Sequence, residues 1–243
     1  MQQGLTGKQT CDEFRMKSHM VTCGPSGNLD PGSDHIRDMN PKIVAWCFPP
    51  VVLAVLVSWR FLDAWVALGA MELIQSSYWL KIGTSDIPDV LFLMVCFGSG
   101  LLWGNYLTLR RRGISNERTR FSQLAGSAVP LAYFLKWIFK FVFGRINTRI
   151  WLQNRVSDDF HWVHGGGIYS GFPSGHMTVF TAFFAAIWLF YPRYRSISLG
   201  LALVLAVALV GTDYHFLSDV IAGAYLGLIA TCLSRICFEK IWS

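Results

Sequence analysis

Residues 171–191 read GFPSGHMTVFTAFFAAIWLFY and combine a turn motif with a long apolar run. Its first residues form a turn with Pro, Ser, Gly and His, and the rest is an apolar run without Asp, Glu, Lys or Arg. A run of about twenty apolar residues is long enough to cross the hydrocarbon core of a bilayer. Pro173 suits the first turn of a helix, where no backbone donor is lost. The stretch therefore predicts a membrane-spanning helix that begins at a Pro-Ser-Gly-His turn.

Five further apolar segments flank this one along the chain. The six predicted spans cover residues 43–61, 89–109, 121–143, 174–191, 197–214 and 218–238. Pro49 and Pro50 fall in the first span, which predicts a kink there. Residues 62–80 are only moderately apolar and contain Asp63 and Glu72, so we predict an interfacial helix rather than a seventh span. We therefore expect an all-α, multi-pass membrane protein with about six transmembrane helices.

The composition agrees with a membrane protein. Of 243 residues, 53% are hydrophobic and only 15% are charged, which is too apolar for an ordinary soluble domain. The formal net charge is +6, but the basic residues form no continuous face, so we predict no nucleic-acid partner. The six cysteines include no Cys-x-x-Cys pair, which favours small apolar residues over a metal site or disulfides. Residues 1–42 are polar and aperiodic and are predicted to form a disordered tail, followed by one membrane domain over residues 43–243.

Arginines in one short loop orient the predicted spans. Five of them lie between the second and third spans, at Arg110, Arg111, Arg112, Arg118 and Arg120. An excess of Lys and Arg in short loops marks the cytoplasmic side of a membrane, so this loop is predicted to be cytoplasmic. With six spans, residues 140–149, 174–176 and 215–219 then meet at the extracytoplasmic face.

The residue types at that face point to phosphoryl chemistry. Free backbone amides at the start of a helix favour an anion, Ser174 adds a hydroxyl donor, and Gly175 lets a ligand approach the backbone. His176 supplies a proton near neutral pH. His215 and Asp219 are one helical turn apart, so the carboxylate can orient the imidazole. Together these residues predict a phosphoryl-transfer site that acts on a lipid.

Residues 136–226 resemble the superfamily of type 2 phosphatidic acid phosphatases and vanadium haloperoxidases. The Pro-Ser-Gly-His turn matches the second motif of that family, and His215 with Asp219 matches the His-x-x-x-Asp of the third. Lys140, followed by Gly-Arg, resembles the start of the first motif. The resemblance implies that His215 attacks phosphorus, that Asp219 orients it, and that His176 protonates the leaving oxygen.

Two positions depart from the family pattern. Asn147 stands where the first motif has an arginine, and Leu209 stands where the third motif has another. Arginine is favoured at such positions because its planar fork makes bidentate, charge-assisted bonds to phosphate. We predict that two nearby arginines supply the missing charge. The predicted phosphate-binding residues are Lys140, Ser174, Gly175, Arg145 and Arg149.

The resemblance implies no metal and no cofactor, because fixed positive charges do that work. The predicted activity is hydrolysis of a lipid phosphomonoester or pyrophosphate through a phosphohistidine, at the periplasmic face of a bacterial inner membrane. Phosphatidic acid, phosphatidylglycerol phosphate, isoprenyl pyrophosphate and a lipid A phosphate are the candidate substrates. Two alternatives stay open: a lipid-phosphate binding or transport protein with little turnover, which the missing arginines favour, and a lipid phosphotransferase.

Overall fold

The computed structural model describes residues 40–76, 87–155 and 159–242. The predicted tail lies outside these residues except at its last three positions. There, the side chain of Asn40 caps the first helix by accepting a hydrogen bond from the backbone amide of Lys42 at 3.0 Å. The first helix therefore begins at Pro41, two residues before the predicted start of the first span.

Helices make up most of the described chain, with an isolated β-bridge between Arg145 and Phe160. In chain order the helices are α1 (Pro41–Ser76), α2 (Ile87–Arg111), α3 (Glu117–Phe143), α4 (Thr148–Asn154), α5 (Gly175–Phe190), α6 (Arg195–Gly211) and α7 (Leu217–Trp242). Five of the predicted spans match α2, α3, α5, α6 and α7 to within four residues at each end. The prediction of an all-α protein is confirmed.

Within the residues that the structure describes, five helices are both long and apolar enough to cross a membrane. They are Pro41–Ser76, Asp89–Arg111, Glu117–Phe143, Pro192–Gly211 and Leu217–Phe238. Helix α5 is also apolar but has only 16 residues, or about 24 Å at 1.5 Å per residue, against a hydrocarbon core of about 30 Å. The multi-pass prediction is therefore confirmed, and the count of six spans stays a prediction.

Helix α1 is longer than the sequence predicted. It passes through a π-helical turn at Ser58–Leu62 and continues to Ser76. The separate interfacial helix predicted at residues 62–80 is therefore wrong for residues 62–76, which continue α1, and residues 77–80 lie outside the described part of the chain. Its main polar signal was Asp63, which is fully buried and forms an ion pair with Arg145. A paired carboxylate inside the protein does not mark a helix that lies on the membrane surface.

The predicted kink in α1 is a local break at Cys47. Cys47 separates a short helical segment from the next one, which restarts at Phe48. Pro49 and Pro50 then occupy the first turn of the new segment, where a missing backbone N–H removes no helical hydrogen bond.

Helix α5 lies in the middle of the bundle, packed against α3, α6 and α7. A Cβ atom added to Gly227 of α7 would lie 2.5 Å from the carbonyl oxygen of Thr178, so the two backbones nearly touch. Such close packing through small residues is typical of helices in membranes. The fully buried small residues of this core are Ala128, Ala132, Ala182 and Ala230. This tight packing holds the turn that begins α5 in one position.

Polar residues from several helices meet at one end of the bundle. The backbone amide of Ser174 donates to the carbonyl oxygen of Asp219 at 3.0 Å, which joins the start of α5 to the start of α7. Lys140, near the end of α3, donates from Nζ to the carbonyl oxygen of Ser170 at 2.5 Å. The exposed Arg118 lies at the opposite end of α3. The residues predicted to share one face therefore do meet, away from the arginine loop.

Candidate active site

A cavity of about 160 Å³ lies where these helix ends meet. Residues from α2, α3 and α5, from the loops before α4 and α5, and from the turn before α7 line it. They are Asp89, Phe92, Lys136, Lys140, Asn147, Ser170, Gly175, His176, Tyr214 and His215. Four of the eight predicted site residues are among them, including both histidines. The remaining four lie outside the cavity lining.

The two histidines line the same cavity, His176 from the first turn of α5 and His215 from the turn before α7. Their ring centroids are 6.1 Å apart. The ring of His176 makes edge contacts with Phe92 and Tyr214, each at a centroid distance of 5.3 Å. His215 is nearly buried, with 5% of its surface exposed. A phosphorus atom between the two rings would be within reach of a nucleophile on one side and a proton donor on the other.

Asp219 lies beside His215, as the spacing of the two residues predicted. The Nδ1 atom of His215 is 3.7 Å from Oδ2 of Asp219, which is slightly too long for a hydrogen bond. Burial lowers the pKa of His215 from its ordinary value, and the nearby carboxylate of Asp219 offsets only part of that effect. The imidazole is therefore neutral near pH 7 and keeps the lone pair that a nucleophile needs.

Ser174 caps helix α5 and does not line the cavity. Its side chain is fully buried and accepts a hydrogen bond from the backbone amide of Met177 at 3.3 Å. This is the ordinary role of serine at the N-cap, the position just before the first helical residue. Gly175 does line the cavity, and a Cβ atom there would lie 2.9 Å from Cδ of Lys136. The glycine therefore makes room for a lysine side chain beside the cavity.

Arg145 is fully buried in a network of carboxylates. Its Nη1 atom donates to Asp219 Oδ1 at 2.8 Å and to Ser218 Oγ at 2.6 Å, and its Nη2 atom donates to Asp63 Oδ2 at 2.9 Å. The guanidinium also stacks over the ring of Phe216 at 4.2 Å. This arrangement holds the carboxylate that lies next to His215. The structure does not bring Arg145 to the cavity, where the sequence had predicted a contact with phosphate.

Arg149 also lies outside the cavity lining. Its guanidinium stacks over the ring of Tyr214 at 4.4 Å, and Nη2 donates to the carbonyl oxygen of Thr212 at 3.3 Å. Arg149 therefore contacts Tyr214, which lines the cavity, without lining the cavity itself. Neither of the arginines that the sequence offered as substitutes lines the cavity.

Lys136 lines the cavity together with Lys140, and Lys136 was not predicted as a site residue from the sequence. It is half-buried, and its Nζ atom lies 4.3 Å from the ring centroid of Phe92 and 4.2 Å from that of Tyr133. Lys136 and Lys140 are four residues apart on α3, so they lie on one face of that helix. This spacing was a usable signal, because two lysines on one helical face near the Pro-Ser-Gly-His turn predict a shared anion site.

Asp89, Asp63 and Tyr214 were also missed, and no local pattern identifies them. Asp89 Oδ1 lies 3.1 Å from Nε2 of His176, and Tyr214 donates to Asp89 Oδ2 at 2.5 Å. Asp63 is 82 residues from its partner Arg145, and Asp89 is 87 residues from His176. Only the packing of α1 and α2 against the rest of the bundle brings these carboxylates to the site.

Fold and site together define a helical membrane protein with two histidines and two lysines around one polar cavity. Within residues 40–76, 87–155 and 159–242, no cluster of three or more His, Cys, Asp or Glu side chains is placed to hold a metal ion. Independence from metal stays a prediction.

Comparison with known families agrees with this class of protein. The family model described as PAP2 superfamily matches residues 123–243, which include most of α3 and every cavity residue except the two on α2. The chain belongs to the PAP2 superfamily, the family that the Pro-Ser-Gly-His and His-x-x-x-Asp motifs predicted.

Two curated relatives are similar to part of the chain. The lipid A 1-phosphatase of Rhizobium johnstonii is 41% identical over 76 residues, which are 31% of this chain and 31% of the relative. The lipid A 1-phosphatase of Rhizobium etli is 40% identical over 76 residues, covering 31% of this chain and 33% of the relative. The chain thus spans about a third of the length of the curated relatives it matches. No solved structure matches the chain.

Proposed function

We propose that this protein is a membrane phosphatase that removes phosphate from a lipid phosphomonoester or pyrophosphate through a phosphohistidine intermediate. The observation that carries the proposal is the pair of histidines, 6.1 Å apart, in a cavity that also contains Lys136 and Lys140. One histidine serves as nucleophile and the other as proton donor. The two lysines supply positive charge for the phosphate oxygens.

In the first step, Nε2 of His215 attacks phosphorus. The Nδ1 atom faces Asp219, which leaves Nε2 as the nucleophilic nitrogen. A nitrogen–phosphorus bond forms, the bond from phosphorus to the lipid oxygen breaks, and His176 gives its proton to that oxygen. Asp219 stabilises the positive charge that develops on the ring of His215, and Arg145 holds Asp219 in place.

In the second step, water attacks the phosphohistidine. His176, now neutral, takes a proton from the water as it attacks phosphorus. The nitrogen–phosphorus bond breaks, inorganic phosphate leaves, and both histidines return to their starting states. A second lipid alcohol in place of water would give phosphoryl transfer instead of hydrolysis.

Lysines take over the role of the two missing arginines in this proposal. Leu209 is fully buried in an apolar cluster with Met177 and Val220, so no charge comes from that position. Asn147 lines the cavity but caps α4 by accepting a hydrogen bond from the amide of Arg149 at 3.1 Å. Lys136 and Lys140 are then the cations nearest to a bound phosphate.

The names of the curated relatives suggest which substrate to test first. Both are lipid A 1-phosphatases, so we propose a phosphate on an acylated sugar lipid as the substrate class. The relatives come from bacteria, and the exposed arginines at the far end of α3 favour a cytoplasmic position for that end. We therefore propose a bacterial inner-membrane protein whose cavity faces the periplasm.

Phosphate release by the purified protein tests the proposed function. The panel contains a lipid A phosphate, phosphatidic acid, phosphatidylglycerol phosphate and an isoprenyl pyrophosphate, each measured with and without EDTA. We expect release from at least one lipid, undiminished by EDTA, and inhibition by vanadate, which mimics pentacoordinate phosphorus. Release that stops with EDTA and returns with Mg²⁺ would rule out the metal-free mechanism.

Replacing Lys136 with alanine should weaken phosphate binding strongly. A cation at about 4 Å from a phosphate charge is worth about 4 kcal/mol at an effective dielectric of 20, before desolvation is subtracted. We expect Lys136→Ala to lower kcat/KM about 100-fold, and Lys136→Arg to keep much of the activity because the charge remains. Lys42→Ala, an exposed lysine at the start of α1, is the matched control. Wild-type kcat/KM in Lys136→Ala would show that phosphate is held without this lysine.

Cysteine labelling tests the proposed orientation. In a cysteine-free background, Ser115→Cys marks the arginine loop, and Gly166→Cys marks the loop before α5. We expect a membrane-impermeant maleimide added to spheroplasts to label position 166 and not position 115. Labelling of both from the same side would contradict the six-span topology.

The rival function is a lipid-phosphate binding protein with little turnover. The specific observation in its favour is the loss of both motif arginines, at Asn147 and at the buried Leu209. Stoichiometric binding of a lipid phosphate without phosphate release over the whole panel would favour it.

A further inference from the structure

The carboxylate of Asp89 makes direct contact with the histidine that we assign as proton donor. Its Oδ1 atom is 3.1 Å from Nε2 of His176, and its Oδ2 atom accepts a hydrogen bond from the hydroxyl of Tyr214 at 2.5 Å. Both carboxylate oxygens therefore have partners, which fixes the direction of the group. The side chain is 60% exposed, so it stays solvated and its charge costs little to keep.

The first turns of α2 are built around the ring of His176. Phe92 lies one turn after Asp89, on the same helical face, and makes an edge contact with the ring at a centroid distance of 5.3 Å. Tyr214 makes a similar edge contact from the turn before α7. The ring is thus restrained by two aromatic side chains and oriented by one carboxylate.

The hydrogen bond to Asp89 decides which nitrogen of His176 can exchange a proton. A carboxylate accepts a hydrogen bond, so Nε2 keeps its proton when the ring is neutral. The proton that is transferred is then the one on Nδ1. Within the described residues, Nδ1 of His176 is buried and has no hydrogen-bond partner. A buried polar atom without a partner calls for an explanation, and the leaving oxygen of a substrate would supply the partner.

We infer that Asp89 is the positioning residue for His176: it fixes the tautomer and stabilises the protonated ring before the proton passes from Nδ1 to the leaving oxygen. This inference rests on the proposed phosphatase function. Burial, the charge that develops on His215 and the positive charge of Lys136 all disfavour a protonated His176, and the negative charge of Asp89 favours it. Asp89 thus orients the ring of His176 and stabilises its positive charge, as Asp219 does for His215.

The dependence on the leaving group tests this role. Dodecyl phosphate needs a proton on its leaving oxygen, whereas 2-dodecyl-4-nitrophenyl phosphate releases a stable anion. With dodecyl phosphate we expect Asp89→Asn to lower kcat about 100-fold, within the range for loss of general acid catalysis. With the nitrophenyl ester, the rate of the phosphorylation step is measured as the first-turnover burst of nitrophenolate. We expect Asp89→Asn to lower that rate less than about fivefold. His176→Ala should have the same pattern, and Asp89→Glu should recover part of kcat.

The controls separate failure of this inference from failure of the proposed function. Asp159→Asn, an exposed carboxylate outside the cavity lining, should leave both rates unchanged. If the wild-type protein releases no phosphate from any ester, the proposed function fails. If the wild type is active and Asp89→Asn slows both esters equally, or leaves both unchanged, the positioning role is wrong. Faster turnover in Asp89→Asn would also overturn it, since the carboxylate would then be occupying the place of the phosphate.

Discussion

Alanine at position 215 is expected to abolish turnover, with a loss in kcat of at least about 10⁴-fold. Removing the nucleophile of an enzyme that works through a covalent intermediate removes the whole reaction path, and losses of this order are typical. His215 lines the cavity and lies next to Asp219, which is the position that the proposed mechanism requires of the nucleophile. The measurement is phosphate release from the substrate that the wild type accepts, with acid-stable and acid-labile phosphoprotein quantified after rapid quench.

The same experiment on His176 separates the two roles. With an ester whose leaving group needs no proton, His176→Ala should still form the phosphohistidine but hydrolyse it slowly, so acid-labile phosphoprotein should accumulate. His215→Ala should give none under any condition. Acid-labile phosphoprotein in His215→Ala at wild-type levels would mean that another residue is the nucleophile.

Alanine at position 145 is expected to lower the free energy of unfolding strongly. Arg145 is fully buried between Asp63 and Asp219, and its loss would leave two carboxylates buried without their cation. Breaking a buried ion pair in this way costs about 3–5 kcal/mol. For a chain of this size the midpoint of thermal unfolding should fall by on the order of 10 °C. Thermal unfolding in detergent measures it.

Two comparisons make the result for Arg145 decisive. Arg145→Lys should recover little stability, because one ammonium group cannot reproduce the fork that reaches Asp63, Ser218 and Asp219. Arg118→Ala, at an exposed position at the other end of α3, should change the midpoint by no more than a few degrees. An unchanged midpoint in Arg145→Ala, together with a loss of phosphate affinity, would instead support the direct phosphate contact that the sequence predicted.

The sequence alone predicted the family and, to within four residues at each end, five of the helices. These predictions are confirmed because their signals are local, whereas the catalytic roles of the two histidines stay predictions. A run of apolar residues is recognisable by its length, and the Pro-Ser-Gly-His turn at the start of α5 lies within a few residues. The spacing of His215 and Asp219 is equally short, and the structure brings the two side chains together.

The hydrogen-bond partners of Arg145 and Ser174 could not be predicted from the neighbouring residues in the sequence. Both belong to motifs that suggest phosphate binding, yet one is bonded to two carboxylates and the other caps its own helix. A basic residue beside a site motif has two possible partners, a ligand or a buried acid. The sequence does not distinguish them, because the acid Asp63 lies 82 residues away.

The class of protein and its motifs could therefore be predicted from the amino-acid sequence, since hydropathy and motif spacing depend on neighbouring residues. The charges around the cavity became known only from the packing of the helices. That packing placed Lys136 beside Gly175, directed Arg145 to Asp219, and brought Asp89 from α2 to His176. The physical reason is that a buried charge takes its partner from whichever helix packs against it, and helix packing depends on contacts between residues far apart in the chain.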